Sequence, residues 1–305
     1  MSIQTDPLIS IQNVSKTYSH SNKPALENIN LEILEGKNIG LIGSNGSGKT
    51  TLLRLIMNYI KPNQGNIIFR DQTNLEKAHP SLGFVGESQE GLENFTPREL
   101  FNMSAKMIGM DKEQANSRTT ELLEFSGLNS VADNLIEGFS KGMAQRTLIS
   151  LAILHNPSIL LLDEPMSGLD YQAQKEIKDF LNKLTNHTLI YASHNLEEIE
   201  EFTSEIIFLH KGRIVKQLSL EKIHQEVFIL EIDQRVKSLL EKFKHFNPEI
   251  INEGIDTVEI RILVDIKNFQ DFVDYCKKEN INIHRIRSRS ILEDTYQKYI
   301  SKTPL

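Results

Sequence analysis

Two groups of residues in this chain have the types and spacing for phosphate chemistry. The first is Gly43-Ser44-Asn45-Gly46-Ser47-Gly48-Lys49-Thr50-Thr51, in which four residues separate a glycine from a Gly-Lys-Thr triplet. Gly43, Gly46 and Gly48 allow the backbone to curl until successive N–H groups point at one anion, a shape that side chains would obstruct. In that pattern Lys49 reaches the β- and γ-phosphate oxygens and the Thr50 hydroxyl ligates Mg²⁺. Ser44, Asn45, Ser47 and Thr51 complete the nucleotide-contacting stretch. The second group is Asp163-Glu164, directly behind the apolar run Ile159 to Leu162. Asp163 is placed to hold the Mg²⁺ shell, and Glu164 to orient or deprotonate an attacking water. Such a pair is otherwise a solvated strand end. The glycine-rich loop upstream is what makes a metal and a triphosphate its expected neighbours.

Three weaker signals accompany these. His194, behind the apolar stretch Thr188 to Ala192, is in a position to contact the γ-phosphate and sense its loss, or to be structural as most single histidines are. Glu87 lies in the loop Gly86-Glu87-Ser88-Gln89, where either it or Gln89 could touch Mg²⁺ or its water; taken alone, both are only loop residues. Tyr18, at the end of a first strand, offers a ring that can stack on a purine base or cover a strand edge.

The elements that must place these groups are legible from periodicity. Asn38 to Ile42 reads as a strand entering the loop and Leu52 to Met57 as the helix leaving it, whose positive N-terminal end favours an anion. Ile159 to Asp163 reads as a buried parallel strand, so its carboxylates emerge at the C-terminal edge where open α/β sheets bind ligands. Leu8 to Val14 and Ile29 to Ile33 alternate as half-buried strands do, with Asn22-Lys23-Pro24 turning between them, and read as a small antiparallel sheet. Asn66 to Phe69 and Ser81 to Val85 are further strands. Thr96-Pro97-Arg98-Glu99 has an N-cap, a first-turn proline and a third-position glutamate, and opens a mostly helical insert over about residues 96–150. Glu197, Glu198, Glu200 and Glu201 read as a solvated helix face. Ile206 to Leu209 and Arg213 to Gln217 form a hairpin through Lys211-Gly212.

Past about Leu220 the character changes to a small α+β domain, giving expected domains of 1–219 and 220–305. Val227 to Ile232, Thr257 to Val264 and Ile281 to Arg287 read as strands, and Gln234 to Phe246, Asn268 to Lys278 and Leu292 to Ile300 as helices. Arg285, Arg287 and Arg289 alternate along one strand face, which is expected to be solvated rather than to meet a membrane or an acidic partner.

Composition narrows the function classes. A net charge of −7 over 305 residues gives no basic footprint, so no nucleic-acid partner is expected. The single cysteine, Cys276, excludes an internal disulfide and a cysteine-rich metal site and fits a reducing cytosol. The first residues, Met-Ser-Ile-Gln-Thr-Asp, lack a signal-peptide core, and no apolar run approaches the roughly 20 residues needed to span a bilayer.

The order of these parts, together with Phe139-Ser140-Lys141-Gly142-Met143 ahead of a helix and Ser167-Gly168-Leu169-Asp170 after Glu164, resembles the ATP-binding subunit of ABC transporters over about Leu8 to Leu218. The resemblance implies a P-loop NTPase domain with an antiparallel β subdomain and a helical insert, followed by the small C-terminal α+β domain. It implies ATP and Mg²⁺ as cofactors, Gly43 to Thr51 as the Walker A loop, Ile159 to Asp163 as the Walker B strand and Glu164 as the catalytic carboxylate. His194 becomes the switch histidine, Tyr18 the adenine-stacking aromatic, Ser167 to Asp170 the D-loop and Phe139 to Met143 the signature. In the signature Ser140 would bond the γ-phosphate, and Gly142 would let a helix N-terminus approach it. Where the family reads Leu-Ser-Gly-Gly-Gln, this chain has Lys141 and Met143; Lys141 would either add charge near the phosphate or face solvent. Where the family usually has glutamine, Glu87 aligns best.

In the family each signature faces the Walker A loop of a second subunit. One chain with one set of motifs and no internal repeat is therefore expected to dimerise, with itself or a sister subunit, around two ATP molecules. The expected partner is a separate transmembrane permease, with this subunit peripheral on the cytoplasmic face of the membrane. Ser290-Ile291-Leu292-Glu293-Asp294-Thr295-Tyr296 resembles the ending of ATPase subunits from an exporter branch that handles drugs, antibiotic peptides, polysaccharides or lipids. It suggests export and a regulatory or dimer-stabilising tail. The rival reading is a soluble ATPase of the same superfamily acting on ribosomes or nucleic acid, and the single motif set and lack of a long coiled coil stand against it. A nucleotide sensor that does not hydrolyse is opposed by Lys49, Asp163, Glu164 and His194.

Overall fold

The structure, a computed structural model, describes residues 7–70, 81–86, 91–220, 225–233, 248–278 and 280–300. The chain divides into two units, Met1–Leu218 and Ser219–Leu305. The expected metal-sensing residues Glu87 and Gln89, and the expected helix Gln234 to Phe246, lie outside the described residues.

In the first unit, β1 (Ile9–Lys16) pairs antiparallel with β2 (Leu26–Ile33) on one side and with β4 (Gln64–Phe69) on the other. The main sheet contains β3 (Ile39–Ile42), β5 (Leu82–Val85), β6 (Ile159–Asp163), β7 (Thr188–Ser193), β8 (Glu205–His210) and β9 (Arg213–Ser219) in the order β5-β6-β7-β3-β8-β9. Every residue of β3, β6 and β7 is buried, as expected of strands covered on both faces. The parallel register sets Ile42 beside Ser193 and Asp163 beside Ala192. The three strands therefore end level, and their following loops leave from one edge of the sheet.

Helix α1 (Lys49–Ile56) leaves the loop after β3. The insert is not one helical run: α2 (Pro97–Met107) and α3 (Lys112–Ser126) are separated where Gly109 takes a φ of +91° and Asp111 starts a new capping box. The Thr96–Glu99 capping box is present as the sequence spacing suggested. α4 (Lys141–Ala152), α5 (Tyr171–Leu181) and α6 (Leu196–Phe202) complete the unit. Among the described residues no helix is long and apolar enough to cross a membrane.

The second unit contains β10 (Gln225–Asp233), β11 (Glu249–Glu253), β12 (Thr257–Asp265), α7 (Ile266–Lys278), β13 (Ile283–Arg289) and α8 (Ile291–Tyr299). Its sheet order, β11-β12-β10-β13, is antiparallel throughout, which is the strand order of split β-α-β-β-α-β domains. Leu230, Ile260 and Ile262 on the strands pack with Phe272 and Cys276 of α7. α8 is tied to the sheet by Arg261, whose Nε and Nη2 donate to Asp294 Oδ2 at 2.9 and 2.7 Å. Arg287 pairs with Glu259, and Arg289 lies 3.9 Å from Asp294, so the arginine-rich strand is not a plain solvated basic face.

Asp294 is 8% exposed and shared between two arginines. Asp294→Ala should weaken the docking of α8 by about 2 kcal/mol, since a partly buried cation loses its carboxylate while Arg261 keeps Glu249. Hydrogen exchange on the full chain should show lost protection over residues 291–300 with β6 and β7 unchanged; protection retained in α8 would show that Asp294 is not its anchor.

Candidate nucleotide site at the strand ends

The loop after β3 is shaped by what lies behind it. A Cβ built on Gly43 would come within 2.3 Å of the Leu209 carbonyl oxygen and 2.5 Å of Ser47 Oγ. Gly48, the N-cap of α1, has a φ of +112°, and a Cβ there would lie 2.8 Å from the Ala25 carbonyl oxygen and 2.7 Å from Leu26 Cδ2. Both positions accept only glycine, one from space and the other from space and backbone conformation together. The hairpin turn between β8 and β9 braces the loop as well: Lys211 and Gly212 both have positive φ, and the Gly212 N–H donates to the Ser47 carbonyl at 2.9 Å.

Asn45, Gly46, Ser47, Gly48, Lys49, Thr50 and Thr51 line a cavity of about 420 Å³ together with Asp163, Glu164, Ser167 and His194. The loop, the carboxylate pair and the histidine, from Asn45 to His194 in sequence, thus share one space. The Lys49 ammonium donates to the Gly43 carbonyl at 2.8 Å and lies 3.1 Å from Glu164 Oε1. With these side chains 6% and 11% exposed, each charge offsets the desolvation of the other.

Glu164 carries a feature that pattern reading did not show, a left-handed backbone with φ of +50°. Its N–H donates to the Ala192 carbonyl at 2.9 Å, which closes the parallel ladder between β6 and β7. Strained non-glycine backbone of this kind costs on the order of 1–3 kcal/mol and collects at functional sites. The carboxylate meets His194, whose Nδ1 lies 2.8 Å from Glu164 Oε2. An ionised carboxylate only accepts, so Nδ1 carries the hydrogen and Nε2 is the nitrogen able to engage a ligand.

Other site residues lie apart from this cavity's lining. Tyr18 is half-buried beside the loop, its hydroxyl 3.3 Å from Thr51 Oγ1, with its ring stacked on His20 at 5.7 Å between centroids. Ser44 is exposed at the loop's tip. Ser140 caps α4 by accepting from the Met143 N–H at 3.2 Å, and a Cβ on Gly142 would meet Ala173 of α5 at 2.9 Å. Lys141 faces solvent yet donates to the Gly168 carbonyl at 3.3 Å, tying the signature to the segment that contains Ser167.

The run of glutamates after His194 is not a uniformly solvated face. Glu198 is 7% exposed, and its Oε2 accepts from the hydroxyls of Tyr191 and Ser193, both at 2.9 Å. Burial and the neighbouring Glu198 push the Tyr191 phenol far above its ordinary range, so it stays a donor. The signal was the three-residue offset from Asn195, which puts Glu198 in the first helical turn and on its inner side.

Residues 26–167 match the ABC transporter family. The chain is 35% identical over 242 residues to the uncharacterized ABC transporter ATP-binding protein YdbJ of Bacillus subtilis, covering 77% of each chain. The chain belongs to the ABC transporter ATP-binding family. This ABC protein is also 30% identical over 303 residues to the bacitracin transport ATP-binding protein BcrA of Bacillus licheniformis, covering 95% of this chain and 97% of that one. The methionine import ATP-binding protein MetN of Geobacillus kaustophilus is 34% identical over 222 residues, 69% of this chain and 65% of that one. Among solved structures, a dimeric ATP-binding cassette in a post-hydrolysis state with ADP and Pi superposes with a TM-score of 0.64 at 28% identity, covering 70% of this chain and all of that one. The ABC protein is thus an ATP-binding subunit of a transporter and an ATPase.

The glycine constraint gives a direct test. Gly48→Ala should displace the loop, lowering affinity for a fluorescent ATP analogue by about 10-fold or more and stability by roughly 1–3 kcal/mol. Wild-type nucleotide titration and melting in this variant would show that the loop tolerates a Cβ there.

Proposed function

We propose that this subunit hydrolyses Mg²⁺-ATP between two copies of itself and thereby drives export through a separate membrane permease. The observation that carries the hydrolytic part is the meeting of Lys49, Asp163, Glu164 and His194 in one cavity beside the glycine loop. In this reading the loop's N–H groups and Lys49 bind and orient the phosphates, and Tyr18 stacks on the adenine. Glu164 holds the attacking water and takes its proton, while His194 keeps Glu164 in place through Nδ1 and faces the γ-phosphate through Nε2.

Thr50 and Asp163 supply hard oxygen donors on the same cavity and suit Mg²⁺. Among the described residues no group of three or more His, Cys, Asp or Glu is arranged to hold a metal, so a cation here would depend on the nucleotide's own phosphates, as Mg²⁺ commonly does. When bound, Mg²⁺ would neutralise charge on the β- and γ-phosphates.

Ser140 and Gly142 are absent from the lining of this chain's own cavity, and in this reading they complete the site of a second copy. Closing such a dimer uses the γ-phosphate as a bridge, and its loss reopens it. An apolar groove of about 770 Å³, lined among the described residues by Tyr59, Phe84, Ile108, Met110 and Leu148, is the surface we assign to the permease. Tyr59 and Ile108 are more than half exposed there, and contiguous apolar surface of that kind calls for a partner. Export is supported by the Leu292-Glu293-Asp294 ending alone, since the relatives' names say transport or import.

Lys49→Ala should lose ATP binding or turnover; wild-type turnover would remove the loop assignment. Glu164→Gln should bind ATP, hydrolyse it at least about 100-fold more slowly and accumulate as a dimer on gel filtration. Affinity purification from gently solubilised membranes should bring down a stoichiometric polytopic protein, and Ile108→Asp should release it with ATPase activity intact. Recovery of ribosomes or nucleic acid instead would favour the soluble ATPase. Reconstituted in vesicles with that permease, ATP on the subunit's side should drive cargo away from that side.

A further inference from the structure

Glu198 is a buried carboxylate close to the hydrolytic groups that the roles above leave without a task. Its two strong donors, Tyr191 and Ser193, both come from β7, the strand that leads into His194. Ser193 Oγ in turn accepts from the Asn195 N–H at 3.1 Å, so one side chain spans the turn on either side of His194. That hydroxyl has a single hydrogen and two carboxylates in reach, Glu198 Oε2 at 2.9 Å and Glu164 Oε2 at 3.4 Å. The shorter, better bond takes the hydrogen. Glu164 Oε2 is then left to His194, to its Nδ1 at 2.8 Å and its backbone N–H at 3.4 Å.

We propose that Glu198 is a positioning residue for ATP hydrolysis: by holding the Ser193 hydroxyl it fixes the turn that presents His194 to Glu164. The proposal rests on the reading of Glu164 as the residue that activates water. Without Glu198, the Ser193 hydroxyl loses the partner that holds it in the turn and the buried Tyr191 hydroxyl loses its acceptor. The glycine loop, braced by Leu209, Ala25 and the Lys211-Gly212 turn, keeps its shape. The effect therefore falls on the chemical step and leaves nucleotide binding in place.

The test is steady-state ATPase kinetics of the full chain. Glu198→Ala should lower kcat by about 10- to 100-fold with KM for ATP little changed, the size expected when a reacting group is misplaced by about an ångström. Glu198→Gln should recover most of the rate, because its amide oxygen can accept both hydroxyl bonds. Adding Ser193→Ala to Glu198→Ala should cost little more, since both act through one hydroxyl. Normal kcat in Glu198→Ala, a KM that rises as kcat falls, Glu198→Gln as slow as the alanine variant, or losses that multiply in the double variant would each overturn the proposal. If Glu198→Ala fails to fold, Ser193→Ala alone decides: it leaves the Tyr191–Glu198 bond intact and should still lower kcat at constant KM, whereas an unchanged kcat overturns the assignment. Glu164→Gln run alongside separates the two readings. Full turnover there removes the role of Glu164, while loss there with normal Glu198→Ala removes only that of Glu198.

Discussion

The parallel register of β6, β7 and β3 is the constraint on which the site depends. Because Asp163, Ala192 and Leu41 share one level across the sheet, the chain delivers a carboxylate pair, a histidine and a phosphate loop to one edge. A slip of one residue would turn the inward side chains to the opposite face and move the ends out of line. Burial of every residue in these strands holds the register, since any shift would expose part of an apolar core.

Legibility in the sequence followed the local character of each signal. The glycine loop, the Thr96 cap, the β8–β9 hairpin and the strand ahead of Asp163 were readable because each depends on neighbours a few positions away. The break between α2 and α3 was not placed, because Gly109 lies in a stretch whose helical periodicity resumes after the turn. β11 escaped notice because Glu249-Ile-Ile-Asn-Glu is short, largely exposed and does not alternate. The left-handed turn at Glu164 was invisible for a different reason. Its N–H pairs with β7, a strand that arrives more than twenty positions later in the chain.

Charges in this protein are seldom isolated where they are buried. Lys49 meets Glu164 in the first unit, and Arg261 meets Asp294 in the second. The two pairs differ in what they permit. Arg261 closes on Asp294 with two hydrogen bonds to one oxygen and anchors a helix. Lys49 holds a backbone carbonyl by a hydrogen bond and the carboxylate by proximity, which suits a group that must also reach for phosphate.

The Lys211-Gly212 turn has a further consequence for how the chain is assembled from parts. Ala25, Leu209 and this turn, which brace the phosphate loop from behind, lie within the first unit. Ala25 stands before the loop in sequence and the turn long after it, so a change at either position reaches the phosphates through the backbone that it braces.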